Sequence, residues 1–272
     1  MRQYRAFVWA EANAYLSGRV DMTLLREYMA LADFANPATM PELYKAFLNS
    51  LSNRRGMPNT IGDIARLGPV LCGFDHLAVQ RRFSSGWENL FDAIEQCVKP
   101  TSRMDKTNSH NYWVIFCKGC LSVAKYLSRF DSADDFLNYV REFDANPRTR
   151  PALPLLIEYD VFGFRFALAC DLLKEIGFIN YSKPDTHITD IFCGLGLSDD
   201  GPLDVFRAVT TMATELGETP YAVDKLFWLI GSGRLYNHGR TFPTSKAEFV
   251  KATLEKWRQH RDPVRSERGD GD

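Results

Sequence analysis

A glycine turn, a helical segment and a lone carboxylate lie close together in residues 153–197. This stretch reads LPLLIEYDVFGFRFALACDLLKEIGFINYSKPDTHITDIFCGLGL. One apolar segment runs into Asp160-Val161-Phe162-Gly163-Phe164. A second follows and stops at Gly177. Lys183-Pro184-Asp185-Thr186-His187 then leads into a third helical pattern. Gly163 can take a positive-φ backbone that other residues resist. A helix starting near Arg165 would expose its first N–H groups, which with the helix dipole form a seat for a phosphate oxygen. Arg165 adds a cation at the same place. Val161, Phe162, Gly163, Phe164 and Arg165 are therefore candidate contacts to a DNA backbone. An ordinary helix–turn–helix corner, with Phe162 and Phe164 in the core, fits the same residues.

Asp185 suits the N-cap of a helix over 186–195, since Asp is among the best capping residues. A carboxylate there is expected to stay ionised, because the dipole favours negative charge. Placed in a cleft, it can stabilise a developing sugar oxocarbenium ion and orient or deprotonate an attacking water. Lys183 is an amine two residues earlier and a minor candidate nucleophile. His187 is expected to tie the helix to a neighbouring loop. His110, Tyr112 and Trp113 can line a pocket that stacks a flipped base. Aromatic residues at helical spacing also suit a plain core, the expected place of Trp228.

The elements that must hold these groups read as helical almost throughout. Apolar residues recur at three and four positions over 5–17, 23–34, 41–51, 61–67, 87–97, 112–130 and 133–143, then over 202–216, 220–230 and 245–261. Asp131 is a candidate cap for the helix from Ala133. Pro220 after Thr219 suits a first helical turn, and Ser245-Lys-Ala-Glu248 is a capping-box pattern. No hairpin-linked alternating strands are evident. Polar, breaker-containing connections fall at 51–60, 99–109 and 146–151, and the tail 265–272 is polar.

A chain of 272 residues can bury a substantial core. Its net charge of −1 argues against a protein that coats nucleic acid by bulk charge, while local pairs such as Arg54-Arg55 and Arg81-Arg82 can still meet phosphates. No apolar run is long enough for a bilayer, and an intracellular protein with no membrane partner is expected. The six cysteines read as free thiols. Cys117-Lys-Gly-Cys120 has no second pair at zinc-ligand spacing and lies in an apolar helical run, so buried thiols and no metal are expected.

Two pieces of this sequence resemble the helix-hairpin-helix (HhH-GPD) DNA glycosylase superfamily. One is the 161–165 hairpin followed by Pro184-Asp185-Thr186-His187-Ile188. The other is Ala222-Val223-Asp224-Lys225-Leu226-Phe227-Trp228-Leu229-Ile230 with Gly233-Arg234 after it. The resemblance spans roughly residues 153–234. It implies an all-α, two-lobed fold with a cleft between lobes, in which N- and C-terminal segments pack together. Nominal segments are 1–105, 106–240 and 241–272. The resemblance also implies double-stranded DNA carrying a damaged or modified base as partner, and Asp185 as the catalytic carboxylate. The hairpin keeps a single glycine, Gly163. Arg165 stands where bifunctional members carry a lysine, so a monofunctional N-glycosylase is expected. No cysteine follows Cys193, so neither an iron–sulfur cluster nor another cofactor is expected. The alternative is a non-catalytic helix-hairpin-helix protein that binds DNA structure. A helical interaction module unrelated to DNA is a third reading.

Overall fold

The structure, a computed structural model, describes residues 1–30, 36–235 and 239–261. These form fourteen α-helices: α1 (Arg2–Ser17), α2 (Met22–Met29), α3 (Met40–Ser52), α4 (Pro58–Ile61), α5 (His76–Arg82), α6 (Trp87–Val98), α7 (Tyr112–Leu127), α8 (Ala133–Asp144), α9 (Ala152–Asp160), α10 (Phe166–Glu175), α11 (Thr186–Gly194), α12 (Pro202–Leu216), α13 (Pro220–Ser232) and α14 (Lys246–Arg261). Two short 3₁₀ turns, Ile64–Leu67 and Cys72–Phe74, interrupt them. The fold is all-α, with one antiparallel pair of two-residue strands, β1 (Arg234–Leu235) and β2 (Arg240–Thr241). Strands this short cannot show alternation, so periodicity does not reveal them. No described helix is long and apolar enough to cross a membrane.

The chain divides into two compact units: Met1–Asp33 with Ile179–Asp272, and Phe34–Phe178. Expected segment bounds at 105 and 240 fall inside these units. In the first unit, α1 buries Tyr4, Val8, Ala12 and Leu16, one residue per turn. That stripe joins Ile188, Ile191 and Phe192 of α11 and Val223, Phe227 and Ile230 of α13 in one core. Arg5 pairs with Glu215 of α12 at 2.7 Å, and the Tyr4 hydroxyl donates to the Leu195 carbonyl at 2.7 Å. Thr219 caps α13 with Pro220 in its first turn, as expected. Ser245 Oγ accepts the Glu248 amide, but the reciprocal half of the expected box is replaced: Tyr15 Oη accepts the Ser245 amide.

In the second unit, α7 is the central helix, packed by α3, α5 and α6. Phe47 of α3 sits among Tyr126, Phe136 and Phe164, with ring centroids 5.8, 5.5 and 5.7 Å away. Cys117 and Cys120 are buried on α7, and burial raises both thiols. They belong to the core, and all six cysteines are free.

Several helix expectations are corrected. The one expected over 61–67 breaks at Gly62, which takes φ +65° and ψ −150°, and Asp63 then caps a separate 3₁₀ turn. Helix α5 carries only two buried residues, His76 and Val79, too few for a periodic signal. Ser132, not Asp131, caps α8: its hydroxyl accepts the Asp135 amide at 3.1 Å, while the Asp131 amide donates back to Asp135. Helix α7 stops at Leu127 rather than 130. The expected helix over 23–34 is seen as α2, which already ends at Met29 with Ala30 extended; residues 31–34 lie outside the described residues, as does the 265–272 tail. Phe47→Ala should cost about 3–5 kcal/mol through lost burial and a residual cavity, read as a shift in the urea midpoint of unfolding.

Candidate functional site

The hairpin is built on α7 and the end of α3. Gly163 adopts φ +90°, the conformation expected of it. It has a second reason to be glycine, because a Cβ there would stand 2.9 Å from Leu51 Cδ1. Gly119 of α7 makes room for the same leucine, since its Cβ would stand 2.4 Å from Leu51 Cδ2. The Phe162 amide donates to Ser122 Oγ at 2.8 Å and pins the turn to α7. Val161 and Phe164 are buried, whereas Phe162 and Arg165 are exposed.

The α10 N-terminus differs from expectation. Glu158, one helix earlier, accepts the Phe166 amide at 3.0 Å and the Arg165 guanidinium at 3.0 Å. One carboxylate thus takes both groups expected to meet a phosphate. The reason is ordinary: a helix N-terminus attracts whichever anion is nearest, and the tight turn brings the α9 acid there. Sequence reading missed Glu158 because its partner is eight positions on, across a turn, where no helical spacing applies.

Asp185 lies in the other unit and caps α11 as expected. Its Oδ1 accepts the His187 amide at 2.8 Å and the Ile188 amide at 3.1 Å. The segment before it is clamped by α13. Asp224, fully buried, accepts the Lys183 amide at 2.6 Å, and the Tyr221 amide donates to the Ile179 carbonyl at 3.0 Å. Two influences oppose the ionisation expected of Asp185. Burial raises its pKa first and the Asp224 charge raises it further, outweighing the Ile188 amide, Lys183 and His187, which pull it down. The capping bonds are real, but desolvation and a like charge win.

His187 packs against α13 instead of making the expected tie to a neighbouring loop. Its ring meets Trp228 edge to face at 6.3 Å and 86°. Gly231 makes the approach possible, since a Cβ there would stand 2.5 Å from His187 Cβ. His187 Nδ1 is buried without a hydrogen-bond partner among the described residues. Lys183 is half-buried, its charge felt by Asp185.

The three proposed pocket residues separate. Trp113 is fully buried, its indole N–H donates to Ser102 Oγ at 2.8 Å, and its ring packs on Phe116. It therefore offers no face to an entering base. Tyr112 lies over Gly56, whose φ of +84° and missing Cβ admit the phenol. His110 is exposed and lines one concavity with all five hairpin residues. Among the described residues no three His, Cys, Asp or Glu side chains gather as metal ligands.

A folded pKa raised above the unfolded value means that ionising Asp185 opposes folding. The stability associated with it is complete below the unfolded pKa and is lost as pH rises through the folded one. Asp224→Asn keeps an acceptor for the Lys183 amide but removes the like charge. The Asp185 carboxyl should then titrate at lower pH in ¹³C NMR; an unmoved titration would refute the role given to Asp224. No family model matches this chain, and the searches of curated proteins and of solved structures gave no match.

Proposed function

We propose that the chain is a monofunctional DNA glycosylase of the helix-hairpin-helix type, hydrolysing the N-glycosidic bond of a damaged or modified base in double-stranded DNA. One observation carries this reading. A half-buried carboxylate, Asp185, is held by two backbone amides at a helix N-terminus with its pKa raised. A raised pKa makes the ionised form a better proton acceptor. In the reaction the base departs with the electrons of its C–N bond and leaves an oxocarbenium sugar, which the Asp185 anion stabilises. Water attacks C1′ and its proton passes by way of Asp185 to the departed base anion, giving a free base, an abasic site and the regenerated carboxylate. Arg165 stays protonated and forms no Schiff base, so the strand is left intact.

The alternative, a non-catalytic DNA-structure binder, is favoured by Asp185 already being employed as a cap. Asparagine caps as well as aspartate does, so Asp185→Asn separates the two readings. It should lower base release from a panel of damaged and modified duplexes by at least about 10²-fold. It should also melt no lower than the native chain at neutral pH, since it removes a charge that burial disfavours. The native product should be alkali-labile DNA without a prior nick, and a panel that yields no released base would end this proposal.

Glu158→Ala addresses the hairpin. It frees the first α10 amide and Arg165 for one phosphate. Duplex affinity at low salt should rise, and the slope of log Kobs against log salt should steepen by about one contact.

A further inference from the structure

Helix α9 buries Leu153, Pro154 and Ile157 and leaves its other face in solvent. On that face Leu155 and Leu156 are 45% and 40% exposed, and Tyr159 is 88% exposed. Phe162, at the tip of the hairpin that follows, is 49% exposed. Burying apolar area is what folding rewards, so a phenol ring left this open next to a second open ring is unusual.

Tyr159 and Phe162 both line a concavity of about 560 Å³, together with Arg54, His110 and the rest of the hairpin. That volume is within the range of roughly 300–1,000 Å³ typical of small-ligand sites. The charges of its wall are uneven. Asp160 is paired with Arg129 at 2.6 Å and Glu158 with Arg165 at 3.0 Å. Arg54 makes no side-chain hydrogen bond or ion pair among the described residues. Two neutralised acids, one unengaged guanidinium and two open aromatic faces favour a ligand that joins a flat ring to an anion. A nucleotide has both, a π-face for stacking and a phosphate for the cation.

We propose that this concavity seats one unpaired nucleotide, its base stacked on Tyr159 and Phe162 and its phosphate held by Arg54. The proposal deepens the DNA-directed reading of the same hairpin and rests on it. It adds a site on the second unit that recognises a base out of its stack and that performs no chemistry.

The test uses the full chain carrying Asp185→Asn, with a fluorescent duplex holding a single-thymine bulge and its fully paired counterpart as probes. The bulged probe should bind more tightly. Tyr159→Ala should weaken it by about tenfold, the usual scale of one lost base–aromatic stack, with little effect on the paired probe. Tyr159→Trp should restore it, and Arg54→Gln should lower the salt slope by about one. Tyr159 is exposed, so its replacement should leave the thermal melt unchanged. Equal binding of both probes, or a Tyr159→Ala protein that binds the bulge like the parent, overturns the proposal. So does sedimentation showing a self-associated chain that Tyr159→Ala dissociates, since the face would then serve a second copy. Base release is measured separately on the unsubstituted chain. Tyr159-dependent bulge binding without base release ends the glycosylase reading and leaves the seat standing; base release with Tyr159-independent binding does the reverse.

Discussion

The bond from the Lys183 amide to the buried Asp224 carboxylate is the constraint on which the candidate centre depends. It fixes residues 183–185 against α13, and so fixes where α11 begins and where its capping carboxylate stands. The same Asp224 places a negative charge near Asp185 and works with burial to raise its pKa. Asp224 thus contributes both to the position of Asp185 and, after burial, to its raised pKa. Its cost is a buried acid, offset by a short backbone hydrogen bond.

The two helix N-termini at the centre of the functional reading show one physical tendency with two outcomes. At α11 the anion is local: Asp185 caps its own helix, and its Oδ1 spans two amides. At α10 the residue at the cap position, Arg165, gives no side-chain cap, and the anion comes from the preceding helix. Unpaired amides with a positive dipole end will be satisfied by something. A helix that carries its own cap leaves a neighbouring acid free for other work. A helix without one recruits that acid, as α10 recruits Glu158. What the first α10 amide can bind is therefore decided by a residue outside the turn.

Much of the local structure was legible in the residues. The spacing of Tyr4, Val8, Ala12 and Leu16, the Thr219-Pro220 start of α13, the positive φ of Gly163 and the Asp185 cap each follow from chemistry within a few positions. The misreading of Trp113 and the silence of two glycines share one origin. Trp113 read as a base-stacking residue because sequence shows an aromatic ring but not whether another helix covers it, and here it is sealed in the core. Gly119 and Gly231 gave no signal at all. Their purpose is to admit Leu51 and His187, which arrive from other parts of the chain.

The sequence by itself determined an all-α chain, a glycine turn between two helices and an aspartate at the head of a third. These rest on propensity, periodicity and capping, which act within a few residues. Only the tertiary structure decided the rest. Burial and Asp224 shift the Asp185 carboxyl away from the value its cap position suggests. Glu158 occupies the amide expected to be open. The α9 face with Tyr159 stays uncovered. Desolvation, charge pairing and exposure all depend on what packs against a group, and packing partners are chosen by the whole fold.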